Sequence, residues 1–571
     1  MATHADPGSY VDSMLGGYVA LHAGVLRYAR DGEARCVFQR TRDDARVALL
    51  SGGGSGHEPA HAGFVGAGML SSAVCGSLFA SPSSSSVLRA ILETATPALG
   101  VLLIVKNYTG DRLNFGLAAE RARALGVAVR VVIVGDDVAL PPNPVAGRRG
   151  LAGTLFVHKI AGAAAAAGLP LDQVWAEASA AAGAVASVGI SLSLATLPGA
   201  MPSLSIPAGQ MDFGGGIHGE AGAEQVPLGS ARDMVRRIIA RLLDNPHGPG
   251  FPPGSRVAVL INSLGATPPG ELAAVGGAAL AELRGAGILV VRAYSGALMT
   301  SLDARGVSIS LLAIHDDTML HRLDAPTDAP AWPRALALPD DVADTPSSLA
   351  LEPEHSVSLS HRHGAPTTPL GRAFGAAIPA AAAAIVAHES QLDAWDAVAG
   401  DGDTGSTLAR GARAVLDDLP LYNLDNHGDV WAGLAASVRR AVGGTSGALL
   451  DACFTAAEAQ ARSCPADGPG AAFEAGVLGI SRVGGAAPGM RTMLDALVPA
   501  VAACRAPGGT AAAAADAAAA GAEATKTMAA RAGRASYVAP AALREGDTPD
   551  PGAAAVAVTL RAIADALCER L

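Results

Sequence analysis

Arg46-Val-Ala-Leu-Leu50 is a short apolar run, and Ser51-Gly-Gly-Gly-Ser-Gly-His-Glu-Pro59 follows it directly. An apolar run closed by a glycine-rich turn is typical of a buried strand that leads into a helix. The pattern recurs at Gly100–Val105 and Val127–Val134, with the amphipathic stretch Phe115–Leu125 between them. Strands that alternate with helices predict a largely parallel or mixed sheet with helices on both faces.

A second set of apolar runs begins near residue 256, at Val257–Ile261, Ile288–Tyr294 and Val307–Ile314. Residues 1–335 are therefore expected to hold two α/β subdomains, divided near residue 250. Residues 336–370 are rich in proline and charged residues, which predicts an extended linker.

Residues 371–571 are rich in alanine and contain no convincing strand pattern. Because alanine is the best helix former, an all-α domain of about six to eight helices is expected. The predicted helices fall near 373–390, 429–441, 447–461, 471–482, 491–504, 510–531 and 553–569.

Composition excludes several classes of protein. The net charge of −11 argues against a general nucleic-acid binder. Six cysteines without C-x-x-C spacing, and an N-terminus without the basic and apolar parts of a signal peptide, predict a cytoplasmic protein. No uninterrupted apolar run reaches the roughly 20 residues of a spanning helix, so no membrane partner is expected.

Asp396, Asp401 and Asp403 lie in the run Trp395-Asp-Ala-Val-Ala-Gly-Asp-Gly-Asp-Thr-Gly-Ser-Thr407. Three neighbouring carboxylates repel one another unless a cation binds, and Mg²⁺ shares such oxygen ligands with substrate phosphates. A helix predicted at Leu408–Asp417 would offer its N-terminus to a phosphate. The alternatives are a solvated Asp/Gly turn or a Ca²⁺ loop, although the spacing does not fit an EF-hand.

Three polar clusters occur in the first half. The glycine turn that carries His57 could cradle an anion at the start of a helix, but it lacks the Lys-Ser/Thr pair of a nucleotide-binding P-loop. Lys106-Asn-Tyr-Thr-Gly-Asp111 ends a predicted strand, where Asp111 could accept a proton and Lys106 could donate a hydrogen bond. Glycines around His218 would allow a ligand to approach it closely. Polar turns and a structurally bonded histidine are the alternatives.

Together these motifs resemble, in chain order, those of the single-chain, ATP-dependent dihydroxyacetone kinases. The substrate-binding half is matched by Gly-Gly-Gly-Ser-Gly-His-Glu-Pro, Lys-Asn-Tyr-Thr-Gly-Asp, Gly147-Arg-Arg-Gly150, Gly-Ile-His-Gly-Glu and Thr300-Ser-Leu-Asp303. The nucleotide-binding half is matched by Gly-Asp-Gly-Asp-Thr-Gly, Gly443-Gly-Thr-Ser-Gly447, Arg491-Thr-Met-Leu-Asp495 and Gly533-Arg-Ala-Ser-Tyr537. The resemblance covers nearly the whole chain apart from the linker and the extreme N-terminus.

The resemblance implies a kinase that phosphorylates a terminal hydroxyl of a short-chain ketose, dihydroxyacetone or also glyceraldehyde. It implies ATP and two Mg²⁺ ions as cofactors, a helical barrel for residues 371–571, and a homodimer. In this family a histidine that matches His218 forms a covalent hemiaminal with the substrate carbonyl, which excludes polyols such as glycerol. His57 and Asp111 match the groups that orient and deprotonate the attacking hydroxyl.

The other site residues carry over position by position. The substrate contacts are expected to be Gly54, Ser55, Gly56, His57, Lys106, Asp111 and His218. The nucleotide contacts are expected to be Thr404, Gly405, Ser406, Thr407, Thr445, Ser446, Gly484, Met493, Arg534, Asp550, Pro551 and Gly552. The metal ligands are expected to be Asp396, Asp401 and Asp403.

One departure and several alternative activities stay open. The family usually has an acid in Pro-Gly-Asp-[Arg/Lys]-Thr-Met, where this chain has Met490. Relatives also include kinases of tetroses such as erythrulose, enzymes that cyclise FAD, and partners of a phosphotransferase protein, which the fused chain argues against. A non-catalytic ketose-binding regulator would not need the three metal aspartates.

Overall fold

The structure, a computed structural model, describes residues 7–32, 34–143, 146–198, 206–220, 222–334, 336–338, 362–538 and 548–568. The chain divides into two compact units, Met1–Ser347 and Ser348–Leu571. Residues 339–361 of the predicted linker lie outside the described residues. The finer bounds 1–335, 336–370 and 371–571 stay a prediction.

Strands and helices alternate through the first unit. Its strands are β1 (Leu26–Asp31), β2 (Ala34–Gln39), β3 (Ala48–Ser55), β4 (Ser72–Leu78), β5 (Val101–Lys106), β6 (Val129–Val134), β7 (Val185–Ser191), β8 (Gln210–Phe213), β9 (Glu224–Pro227), β10 (Arg256–Ser263), β11 (Leu289–Gly296), β12 (Gly306–Ala313) and β13 (Leu336–Ala337). Its helices are α1 (Pro7–Leu21), α2 (Ser84–Thr94), α3 (Thr109–Ala124), α4 (Thr154–Ala166), α5 (Leu171–Ala184), α6 (Ala231–Leu243), α7 (Pro269–Gly285) and α8 (Asp317–Asp324).

The strands form two mixed sheets, which confirms the predicted α/β class. The first has the order β1-β2-β4-β3-β5-β6, and its four strands from β4 to β6 run parallel. The second has the order β13-β11-β10-β12-β7-β8-β9 and is mainly antiparallel. The sequence predicted a division between the two subdomains near residue 250, whereas the second sheet already begins with β7 at Val185.

The core of the first unit takes side chains from both sheets. Leu102 and Ile104 of β5 belong to the same buried cluster as Val259 of β10, together with seven residues of α4. The other face of the first sheet is covered by α2 and α3. A strand that is buried on both faces has apolar residues at successive positions and does not alternate with polar ones. This is why these strands appear in the sequence as continuous apolar runs.

The glycine turn after β3 differs from its prediction. Strand β3 continues to Ser55, and a short 3₁₀ turn at Ala62–Phe64 follows instead of an α-helix. The expectation that this turn opens a helix is therefore wrong. The glycines allow close packing instead, because an added Cβ at Gly54 would lie 2.7 Å from the backbone nitrogen of Ala80.

The second unit is helical throughout its described residues, as predicted. It contains α9 (Pro369–Ala387), α10 (Glu389–Ala399), α11 (Thr404–Asp418), α12 (His427–Ala441), α13 (Gly444–Ser463), α14 (Gly468–Gly484), α15 (Leu494–Arg505), α16 (Ala511–Ala524) and α17 (Pro551–Cys568). The nine helices among the described residues exceed the six to eight expected because Glu389–Ala399 is a separate helix. Helix α16 ends in a 3₁₀ turn at Thr525–Thr527, short of the predicted residue 531.

Eight of these helices pack in a closed ring. Each of α11 to α17 contacts the next, and α17 and α11 both contact α9, whereas α10 packs beside α11. The small side chains of alanine allow such close packing. Helices α9 and α17 are long and apolar enough to cross a membrane by length and composition alone, a test that core helices of other proteins also pass. The expected absence of a membrane partner stays a prediction.

Candidate functional site

The carboxyl ends of the parallel strands position the first polar cluster. His57 follows β3, Lys106 is the last residue of β5, and Asp111 lies in the first turn of α3. Because β3 and β5 are parallel, these residues share one edge of the first sheet. His218 reaches them from the loop that follows β8 in the second sheet. The structure therefore brings together all three predicted catalytic residues of this unit.

The two histidines face each other through their Nε2 atoms, which are 3.1 Å apart. His57 is fully buried, and its Nδ1 lies 2.8 Å from the carbonyl oxygen of Thr300. Burial, and after it the charge of Lys106, lowers the pKa of His57. His57 is therefore neutral at physiological pH unless its partner ring shares a proton with it.

His218 is bonded to Glu220 on its other side. Its Nδ1 lies 3.0 Å from Oε1 of Glu220, and its backbone N–H donates to Oε2 at 2.9 Å. Burial raises the pKa of Glu220, but the bonds from His218 outweigh it and hold that pKa at about 2. Arg149 fixes the loop itself, because its guanidinium donates to the carbonyl of Gly214 at 2.6 Å and pairs with Asp137.

Lys106 and Asp111 are buried side by side with polar atoms that have no protein partner. Both Nζ of Lys106 and Oδ1 of Asp111 lack a hydrogen bond, and an added Cβ on Gly53 would lie within 4 Å of both side chains. Burial raises the pKa of Asp111, while Lys106 opposes this rise. Burial likewise lowers the pKa of Lys106 against the charge of Asp111. Such unsatisfied groups are suited to the oxygens of a small polar ligand.

Two aromatic rings enclose His218, and sequence reasoning assigned them no role. The ring of Tyr108 meets it edge to face at 4.5 Å, and that of Phe79 does so at 5.4 Å. Phe79 adopts a φ of 55°, and it follows β4 at the same sheet edge as His57. Tyr108 lies inside a quoted motif, whereas nothing in the sequence around Phe79 indicates that it contacts the site.

The predicted substrate contacts at the β3 turn differ in what they can offer. The hydroxyl of Ser55 is buried and donates to the carbonyl of Gly76 at 2.7 Å, and its own carbonyl oxygen accepts the N–H of Phe79 at 2.8 Å, so neither group is free for a ligand. Gly56 has a φ of 104° and lies against the ring of Phe79. Its N–H is held by the carboxylate of Glu58 at 3.0 Å.

The second unit gathers the three aspartates that the sequence predicted as metal ligands. Carboxylate oxygens of Asp396, Asp401 and Asp403 lie within 4.8 Å of one another. Asp396 is buried and accepts the backbone N–H groups of Asp403 at 3.0 Å and Thr404 at 3.2 Å. Asp401 is paired with Arg534. Convergent oxygen ligands, one buried and two exposed, fit a hard divalent cation that also binds phosphate oxygens.

Helix α11 begins directly at this cluster. It starts at Thr404, four residues earlier than predicted, so that Thr404, Gly405, Ser406 and Thr407 form its first turn. The N–H of Ser406 is already taken by Asp393 at 3.0 Å, a residue that the sequence analysis did not single out. The partial positive charge of the helix start is therefore directed towards the metal aspartates.

The remaining predicted nucleotide residues lie at helix ends of the same unit. Thr445 and Ser446 are in the first turn of α13, and Gly484 lies against Leu449 of that helix. Gly552 lies against Met493, since an added Cβ would be 3.4 Å from the Met493 Cβ. Asp550, Pro551 and Gly552 form the start of α17, where Asp550 accepts the N–H of Ala553 at 2.8 Å. Burial raises the pKa of Asp550 to about 6.

The loop that carries Met490 is held without an acid at that position. The carboxylate of Asp495 accepts the N–H groups of Gly489 and, at 2.8 Å, Thr492. The buried side chain of Arg491 donates to the carbonyl oxygens of Thr525 and Thr548. Asp495 and Arg491 therefore hold this turn, and Met490 adds a contact in which its Sδ accepts the N–H of Ala487 at 3.4 Å.

Comparison with known proteins identifies two domain families in this chain. The Dak1 domain matches residues 16–331, and the DAK2 domain matches residues 398–565. A relative from Solanum lycopersicum named "Putative 3,4-dihydroxy-2-butanone kinase" is 44% identical over 99% of this chain and 98% of its own length. Human "Triokinase/FMN cyclase" is 40% identical over 91% of this chain and 92% of its own length.

Solved structures agree with the sequence relatives. The native dihydroxyacetone kinase of C. freundii superposes with a TM-score of 0.65 at 35% identity, covering 99% of this chain and 100% of that one. Its complex with AMP-PNP and Mg²⁺ gives 0.64 at 34% identity, covering 98% of each chain.

Proposed function

The chain belongs to the dihydroxyacetone kinase family, with a Dak1 and a DAK2 domain in one polypeptide, and we propose that it transfers the γ-phosphoryl group of ATP to a terminal hydroxyl of dihydroxyacetone. One observation carries the choice of substrate. Partly buried His218 interacts electrostatically with Asp111, and the buried side chains of Lys106 and Asp111 beside it leave Nζ and Oδ1 without partners. A triose with one carbonyl and two hydroxyl groups supplies the matching atoms.

The ketose residues then take separate roles. His218 attacks the substrate carbonyl through Nε2, because Nδ1 is occupied by Glu220. His57 lies at hydrogen-bond distance from the same Nε2 and protonates the oxygen that develops there. Asp111 accepts the proton of the terminal hydroxyl, and Lys106 holds a substrate oxygen. Gly54, Ser55 and Gly56 form one side of the pocket.

The helical unit supplies the nucleotide and metal site. Asp396, Asp401 and Asp403 would hold two Mg²⁺ ions with the phosphates of ATP, and the metal supplies neutralisation of charge during phosphoryl transfer. The N–H groups of Thr404, Ser406 and Thr407 already have protein acceptors, so the start of α11 attracts the phosphates through the positive end of its helix dipole. Arg534 is near enough to contact the same phosphates, because it already reaches Asp401. The other predicted contacts lie at the starts of α13 and α17 and at Gly484 and Met493.

Activity assays test the proposal directly. ATP consumption is measured with dihydroxyacetone, glyceraldehyde, erythrulose and glycerol, and the phosphorylated products are identified by mass spectrometry. We expect turnover with the triose carbonyl compounds and none with glycerol. Turnover with erythrulose alone would make the chain a tetrose kinase, and ketose binding without ATP consumption would make it a regulator.

The name of the human relative motivates a second assay. Because that protein is called a triokinase and FMN cyclase, formation of cyclic FMN from FAD is measured on the same nucleotide site. Asp403→Ala should abolish this activity together with the kinase activity if both depend on the metal aspartates.

We also propose a homodimer in the cytoplasm. The six cysteines are all unpaired, as expected in a reducing compartment. Light scattering of the purified chain would measure the assembly, and a mass of one chain at micromolar concentration would exclude the dimer.

A further inference from the structure

The partners of His57 and His218 fix where the hydrogens of both rings lie. Nδ1 of His57 lies 2.8 Å from the Thr300 carbonyl, which can only accept, so this nitrogen is a donor. Nδ1 of His218 lies 3.0 Å from a Glu220 carboxylate whose pKa of about 2 keeps it ionised, so this nitrogen is also a donor. Both Nδ1 atoms therefore carry hydrogen.

In the neutral rings, neither Nε2 atom then has a hydrogen to donate to the other. If both rings were neutral, each Nε2 would present a lone pair to the other across 3.1 Å, and this contact would be repulsive. One additional proton between them converts the repulsion into a hydrogen bond and satisfies all four ring nitrogens. Its charge is balanced by the ionised carboxylate of Glu220 at the other end of the same network.

We propose that Glu220 is a positioning residue of the ketose site, which keeps Nδ1 of His218 protonated, and that the His57–His218 pair holds one extra proton between its Nε2 atoms before the ketose binds. The catalytic consequence rests on the proposed function, whereas the proton positions belong to the protein without substrate.

The extra proton balances the formation of the adduct. The shared proton first moves to Nε2 of His57, which leaves a lone pair on Nε2 of His218. That atom forms a bond to the carbonyl carbon, the π pair of the carbonyl moves to its oxygen, and the proton passes from Nε2 of His57 to that oxygen. The products are a hydroxyl group and an imidazolium that is alkylated at Nε2 and protonated at Nδ1. The histidine pair carries one positive charge before and after the step, opposite Glu220, so no proton is exchanged with solvent.

Neighbouring charges determine the side on which the proton rests. Burial and the charge of Lys106 lower the pKa of His57, which favours the proton on His218 beside Glu220. The other charged groups close to the pair are Asp111 in α3, Glu58 in the turn after β3, and Arg149 near Glu220. Arg149 is already paired with Asp137, so Glu220 is the carboxylate that compensates His218.

Neutron crystallography of the perdeuterated full chain without substrate tests the proton positions. We expect a deuteron on each Nδ1, a single deuteron between the Nε2 atoms, and none on Glu220. A protonated Glu220, a bare Nδ1 on either ring, or no deuteron between the Nε2 atoms would overturn the proposal. This measurement is independent of whether a covalent adduct ever forms.

A solution experiment tests the role of Glu220 in wild-type protein and in Glu220→Gln, with Glu224→Gln as a control. Glu224 is exposed on β9, in the same segment of the chain. Calorimetric binding of dihydroxyacetone in two buffers of different ionisation enthalpy gives the number of protons exchanged. We expect none for wild type and Glu224→Gln, and uptake of about one for Glu220→Gln, whose neutral amide no longer balances the extra charge.

Activity separates this role from a merely structural one. Glu220→Gln keeps a hydrogen-bond acceptor but loses the charge, so kcat/KM should fall on the order of 10²-fold, with wild-type stability. Wild-type kcat/KM together with no proton uptake in Glu220→Gln would refute the role of Glu220. A crystal soaked with dihydroxyacetone that reveals ketose without a bond to His218 would refute the adduct and leave the neutron result to decide the proton positions.

Discussion

Lys106 and Asp111 are the residues whose burial is hardest to explain by stability. A buried polar atom without a hydrogen bond costs about 1–3 kcal/mol, more when charged, and each of these side chains has such an atom. Their opposite charges offset part of this cost. A ligand that supplies both missing partners would recover the rest, which is why these residues indicate a binding site.

Replacing His218 or Asp111 should damage two different steps. His218→Ala should remove the covalent adduct and the discrimination against glycerol, while some phosphorylation survives because Asp111 and the metal aspartates remain. Asp111→Ala should keep the adduct and lose about 10²–10⁴-fold in rate, because it removes the general base. Crystals of both variants soaked with dihydroxyacetone, together with kcat, check this. Adduct density in His218→Ala would contradict the assignment.

Replacing the metal aspartates should affect the binding of Mg-ATP and not the binding of the ketose. Asp401→Ala and Asp403→Ala are expected to abolish Mg-ATP binding and to leave ketose affinity unchanged, because their carboxylates lie in the helical unit. Calorimetric titrations with each ligand measure both affinities. Asp417→Ala, an exposed aspartate at the far end of α11, is the matched control. Unchanged Mg-ATP affinity in Asp403→Ala would exclude the metal site.

Met490→Asp should change the affinity for ATP only slightly. Asp495 already accepts the two N–H groups that hold this turn, so an acid at 490 adds only a partly exposed charge beside it. The KM for ATP is expected to stay within about fivefold of wild type, which corresponds to about 1 kcal/mol. If the wild-type chain is inactive and this variant restores activity, the chain is an impaired kinase.

At the scale of elements, strand β3 and its glycine turn position His57. Gly54 and Gly56 pack so closely against Phe79 and Ala80, which follow β4, that no side chain fits at either glycine, and this contact sets where the turn leaves the sheet. Phe79 reaches His57 and His218 from that same segment. The strand therefore ends in an extended glycine segment, and no helix N-terminus forms at this point.

Gly54→Ala should destabilise this arrangement. Its Cβ would lie 2.7 Å from the backbone of Phe79 and Ala80, which cannot yield without moving the turn. Overpacking of this kind costs about 1–3 kcal/mol, and activity should fall with it. Gly277→Ala in the exposed face of α7 meets open space and should stabilise the protein by up to about 1 kcal/mol. Chemical denaturation measures the free energy of unfolding of both variants. A Gly54→Ala variant as stable as Gly277→Ala would refute the contact with Phe79 and Ala80.

At the scale of the whole molecule, the two units have separate hydrophobic cores. The clusters of the first unit contain strand residues such as Leu102, whereas those of the second contain helix residues such as Val430 and Ala518. The matches to Dak1 and DAK2 follow this division, with the ketose cluster in one unit and the metal aspartates in the other.

Each ligand should therefore stabilise its own unit. Calorimetric unfolding is expected to resolve two transitions, one raised by dihydroxyacetone and the other by Mg-ATP. At a ligand concentration of about 100 times Kd, the stabilisation is about 2.7 kcal/mol. Asp403→Ala should cancel the effect of Mg-ATP only. A single transition raised equally by both ligands would contradict the independence of the cores.

The sequence by itself determined the fold class and most of the candidate site, because both are written in local patterns. Apolar runs with glycine turns gave the strands, alanine-rich stretches gave the helices, and the spacing of Asp396, Asp401 and Asp403 indicated the metal cluster. The segments that carry His57, Asp111 and His218 could be quoted from the chain in order. Local spacing suffices where neighbouring residues in the chain are also neighbours in space.

Only the tertiary structure decided the contacts between distant segments. His57 and His218 are 161 positions apart, and the ring of Phe79 reaches both from another strand. Strand β3 ends without leading into a helix because its glycine turn packs against the backbone of Ala80, and no local sequence pattern encodes that contact. The proton relation between the two histidines exists because Thr300 and Glu220 fix their outer nitrogens, and that geometry forms only when the two sheets bring three separate loops together.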